Sequence, residues 1–103
     1  MITKDSFLKS CQKIPFAKDS VDGFGECGLV LFREGELAEM VKLPQNDQIA
    51  QCVIGENGER IFSDDDIGSC IKDKMTTIVK NRIIAKVLEV NGLGVTQEDV
   101  KKN

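Results

Sequence analysis

With 103 residues, of which 41% are hydrophobic and 30% charged, the chain has room for one domain around one core. A net charge of −3, acids and bases interspersed, and no Trp or Tyr argue against nucleic acid as a partner, since phosphate binding needs clustered Lys/Arg beside stacking aromatics. The absence of histidine removes the usual zinc sets and general bases. No apolar run approaches the ~20 residues of a membrane span, and the first five residues lack a signal-peptide pattern, so a cytoplasmic protein is expected.

In chain order, Thr3 is placed to cap a first helix over residues 5–14, with Phe7, Leu8, Cys11 and Ile14 on one apolar face and Pro15 ending it. Residues 17–22 and 27–32 read as a hairpin around Gly23-Phe24-Gly25. Val21, Leu29 and Leu31 are expected to point inward, Val30 and Phe32 outward or into a partner. Leu37, Met40, Val41 and Leu43 recur at helical spacing over 34–43, up to Pro44. Residues 47–54 suit a helix entering a short strand.

Asn57-Gly58 predicts a two-residue type I′ turn between strands 53–56 and 59–62, because both residues tolerate positive φ. Ser63 and Asp66 form an S-x-x-D capping signal, and a helix is expected to start there. Met75, Val79, Ile83 and Val87, flanked by Ile78, Ile84 and Leu88, give the longest apolar stripe and predict the core helix. Asn91-Gly92 ends it, with glycine free to enter the left-handed region. Thr96 and Asp99 give a last cap signal in a polar tail that is expected to fray.

The fold class predicted is α+β: a small antiparallel sheet of two short hairpins with helices packed on one face, a single domain over 1–95 and a polar tail over 96–103.

Nothing in the residues names a reaction. Cys11, Cys27, Cys52 and Cys70 are scattered with no C-x-x-C, and read as reduced thiols rather than disulfides or metal ligands. Asp64-Asp65-Asp66 does not continue as a calcium loop, which needs glycine at the sixth position and a carboxylate at the twelfth; helix-cap acidity explains it. Gly23-x-Gly25 and Gly92-x-Gly94 lack the third glycine and the strand-to-helix setting of a dinucleotide site. No catalytic, cofactor-binding or metal residue is therefore expected, and no enzyme. The functional reading left open is that apolar surface on the hairpin or on the 34–43 helix stays exposed to hold another chain.

Three stretches resemble a known family when taken together: Lys13-Ile14-Pro15-Phe16 before the hairpin, the run 54–67 (IGENGERIFSDDDI), and the helix closing on Val90-Asn91-Gly92-Leu93. They resemble the tail assembly chaperones of long-tailed, lambda-like bacteriophages, nearest the small chaperones of HK97-type phages, over about residues 10–95. The resemblance implies a non-catalytic protein that binds the tape measure protein and keeps that long helical chain soluble while tail tube subunits assemble around it. It also implies a host-cytoplasmic protein absent from the mature virion, and a longer form made by programmed frameshifting that recruits tail tube protein. Lys101-Lys102 is compatible with a slippery codon run for such a shift. Self-association is expected because neighbours coating a rod gain from touching one another. The rival readings are a structural tail or head-tail component, and a small antitoxin- or regulator-like interaction module.

Overall fold

A computed structural model describes residues 1–10 and 14–93. The sequence expectations for residues 11–13 and for the tail, including its Thr96 cap, lie outside the described residues. Helix α1 (Lys4–Ser10) leads to strands β1 (Phe16–Val21) and β2 (Gly25–Val30), then helices α2 (Glu34–Met40) and α3 (Gln45–Cys52). Strand β3 (Val53–Ile54), a π-helical segment (Ile67–Lys72) and helix α4 (Thr77–Val90) follow. The three strands form one antiparallel sheet in the order β1-β2-β3. The architecture is α+β, a compact single domain.

The β1–β2 hairpin forms where the glycines allow it. Gly23 sits at φ +81° and the Phe24 N–H donates to Val21 O at 2.9 Å, so the turn uses a conformation closed to residues with a Cβ. Pairing Ala17 with Leu29 and Val21 with Gly25 sends one set of side chains inward; Phe16 with Val30 and Lys18 with Gly28 occupy the other face. Helix α4 packs on β1 and β2, and α3 packs on α4 and β2, so the inner face is the covered one. Leu29, Ile49, Val53, Ile71, Ile83 and Val87 are completely buried there.

Four local expectations change. The 59–62 arm pairs only through the Ile54–Arg60 bridge, and β3 is two residues long. Gly58 alone takes positive φ, at +83°, while its N–H donates to Gly55 O at 2.9 Å and the Gly55 N–H to Glu59 O at 2.7 Å. Asn57 therefore does not adopt the type I′ geometry; the loop is the three-residue kind with glycine in the bulge position. Leu31 does not face the core, whereas Phe32 packs against it. Inter-strand hydrogen bonding ends with the Leu31 N–H donating to Pro15 O at 2.9 Å, since proline has no N–H to return, and the Phe32 N–H instead donates to Asn91 Oδ1 at 2.8 Å, which shifts the alternation by one. The 34–43 helix stops at Met40, and Pro44 stands at the N-cap of α3.

Between Ser63 and α4 the chain divides. Asp66 Oδ2 accepts from the Ser63 N–H at 2.9 Å, half of the capping box the sequence suggests, and the run containing Gly68-Ser69 is wound as a π-helix. Thr76 then caps α4, its Oγ1 accepting from the Val79 N–H at 3.3 Å. Met75 thus lies ahead of α4 yet still touches the core. The stripe on α4 is narrower than its composition suggests, with Ile83 and Val87 buried and Ile78 56% exposed. Gly92, at φ +88°, closes α4 in the left-handed conformation expected of it.

Candidate functional site

Among the described residues Cys27 and Cys52 are buried free thiols, and a third, Cys70, is a partly exposed free thiol. Burial, followed by the nearby Asp19 and Glu26 charges, pushes the Cys27 thiol up, and burial alone pushes Cys52 up to about 12. Both stay protonated at neutral pH and are poor nucleophiles. Of the three consecutive aspartates, Asp64 is paired with Arg60 at 3.3 Å, and Asp66 is held below its ordinary pKa by the backbone N–H and then the hydroxyl of Ser63. Among the described residues no group of three His, Cys, Asp or Glu side chains is gathered as a metal site.

The unusual feature is the outer face of the sheet. Alternation along β2 puts Gly28 and Val30 there, across from Phe16 on β1 and beside Ile54 on β3. The Phe16 ring lies on Gly28 so closely that a Cβ at that position would stand 2.6 Å from the ring and 3.1 Å from Ile54 O. Val30 and Ile54 are 8% and 1% exposed, yet neither belongs to the main core cluster. They form the floor of an open groove of about 360 Å³ walled by Leu31, Phe32 and Gln51. Arg33, Glu36 and Arg60 rim it. Arg60 Nε also donates to Ala50 O at 3.2 Å, so its stem is fixed along the groove.

Ile14 and Pro15 line one end of this groove. Upstream of them α1 has its N-terminus capped by Thr3, whose Oγ1 accepts from the Ser6 N–H at 3.1 Å, but none of its residues is buried. Phe7, Leu8 and Ile14 are each about half exposed, at 52%, 51% and 52%. The expected helix over 5–14 is described only as Lys4–Ser10, so Ile14 lies off it and Cys11 falls outside the described residues; of the expected face, Phe7 and Leu8 stand on the helix, half exposed. The 34–43 helix, by contrast, keeps only Val41 notably exposed, because Met40 and Leu37 turn to the core. Period-2 reading places Val30 outward; what it misses is that Val30 is covered by loops and a groove wall, and that Ile54 joins it from a distant strand.

Comparison of the chain with protein families, curated proteins and solved structures gives no match.

Proposed function

We propose that this chain is a non-catalytic binding protein of the tail assembly chaperone kind, holding an apolar, helical tape measure protein soluble before tail tube subunits enclose it. The observation that carries the reading is the outer groove, apolar at Val30, Ile54 and Leu31 and edged by Arg33, Gln51 and Arg60. An amphipathic client helix laid along it would bury its apolar side chains on the floor and meet charged or amide groups at the rim. The sequence resemblance over 54–67 and 90–93 supplies the identity of the client. On this reading the protein acts in the host cytoplasm, stays out of the finished virion, has no nucleic-acid partner, self-associates, and reaches the tail tube protein through a frameshifted longer form.

Co-expression tests it. The tape measure protein should pass from the insoluble to the soluble fraction and co-purify with this chain, and purified particles should lack the chain. An unchanged tape measure solubility together with the chain present in particles would favour a structural tail component instead.

A further inference from the structure

Asparagine followed by glycine is prone to self-modification, because the glycine backbone nitrogen, with no Cβ beside it, can close on the asparagine carboxamide. The chain carries two such pairs, Asn57-Gly58 and Asn91-Gly92, and the fold holds them unequally. Ring closure needs the glycine nitrogen turned towards the asparagine Cβ and the carboxamide free to swing onto it. Whatever pins either group protects the pair.

At Asn91 both are pinned. Its Oδ1 accepts from the Phe32 N–H at 2.8 Å, and its Nδ2 donates to Val30 O at 3.1 Å and Val87 O at 2.8 Å. Its ψ is 6°, which turns the Gly92 nitrogen away from Cβ, and the Gly92 N–H donates to Glu89 O at 3.0 Å. Reaction there requires the end of α4 to part from β2, an opening next to the completely buried Val87 that approaches global unfolding.

Asn57 is exposed, and its carboxamide has no hydrogen-bond partner among the described residues. The restraints on its backbone are local. The Gly58 N–H donates to Gly55 O at 2.9 Å and the Gly55 N–H to Glu59 O at 2.7 Å, with the Ile54–Arg60 bridge just beyond. None of residues 55–61 belongs to the core cluster or packs against it. Opening this loop therefore leaves α3, α4 and the core in place and lies at the low-cost end of local unfolding.

We propose that Asn57 is a site of spontaneous deamidation in the folded protein, through a succinimide formed with Gly58, and that Asn91 is protected from the same reaction by the contacts joining α4 to β2. The Gly58 backbone nitrogen, its proton lost to solvent hydroxide, attacks Asn57 Cγ; the Cγ–Nδ2 bond breaks and ammonia leaves, taking its third proton from water. Water then opens the ring. Attack at the side-chain carbonyl gives aspartate, and attack at the main-chain carbonyl gives isoaspartate, whose backbone runs through Cβ and Cγ and is one carbon longer. Either product sets a new carboxylate between Glu56 and Glu59, and isoaspartate lengthens the loop that carries Arg60 to the groove rim. The proposal is independent of the client proposed above.

The full chain is aged at mildly alkaline pH in native buffer and in the same buffer across a guanidinium series, and each pair is followed by peptide mass spectrometry as the mass gain of amide-to-acid exchange. In native buffer Asn57 should react about tenfold or more faster than Asn91, and the ratio should fall towards one in full denaturant, where the two pairs differ only in flanking sequence. Through the series the Asn91 rate should climb with the unfolding transition, while Asn57 reacts well before it. Asn57→Gln, which removes no hydrogen bond, should fold normally and abolish the native-buffer product at this loop. Equal native rates, Asn91 reacting first, or an Asn57 rate that rises only with global unfolding would each overturn the proposal. Aspartate without isoaspartate would overturn the ring closure through Gly58.

Discussion

The two faces of one small sheet are put to different uses. On the inner face, Val21, Cys27, Leu29 and Val53 meet α3 and α4 and disappear from solvent, a region whose contacts hold the fold. On the outer face, the Phe16 ring rests on Gly28, and Val30 and Ile54 line a groove outside the core cluster. A strand whose alternate residues are apolar on both faces usually reads as doubly covered. Here the second cover is made of loops and a groove wall rather than a helix: Val30 and Ile54 are 8% and 1% exposed without joining the core cluster.

The largest effect should come from the inner face. Replacing Ile83 by Ala removes a completely buried side chain from the centre of α4 and should cost about 2–5 kcal/mol, measured as a shift in urea midpoint at unchanged slope. A small cost there would erase the distinction between the faces.

Next come the seams, at about 1–3 kcal/mol each. Asn91→Ala strips the amide that joins the end of α4 to β2, since its Oδ1 accepts from the Phe32 N–H and its Nδ2 donates to Val30 O at 3.1 Å and Val87 O at 2.8 Å. Gly28→Ala drives a methyl into the Phe16 ring, and its cost should shrink when Phe16→Ala is added. Additive costs in that double-mutant cycle would mean the ring does not rest on Gly28 in solution.

Acid sharpens the comparison at the start of the π-helical segment. Because hydrogen bonds from Ser63 lower the folded Asp66 pKa below its ordinary 3.8, the folded state favours the carboxylate. The stabilisation is therefore present above that ordinary value and is lost as pH falls through the lowered one. Asp66→Asn should flatten this part of the profile, read as urea midpoints from neutral to strongly acidic pH. A profile identical to that of the unmodified protein would show that the Ser63 contact is not kept.

The smallest effect belongs to α1: Phe7→Ala should change monomer stability by less than about 0.5 kcal/mol, followed by the same urea titration in dilute solution. A larger loss would place α1 on its own body.

Local signals were legible wherever a residue acts through its own backbone. Thr3 and the left-handed Gly92 stand as the sequence suggests, and the amphipathic period of α4 locates Ile83 and Val87. The division into an α+β domain with an antiparallel sheet follows from the short spacing between strands. Where a local preference had a competitor, tertiary contacts decided. Asn57-Gly58 can form a type I′ turn, but the Gly55–Glu59 hydrogen bond selects the bulged loop and leaves the second arm as a single bridge. Leu31 and Phe32 exchange places because Asn91, 59 residues away from Phe32, captures a backbone donor that no local rule assigns. The outer groove is of the same kind. Val30 comes from one stretch and Ile54 and Arg60 from another, and only the pairing of β2 with β3 brings them to one surface.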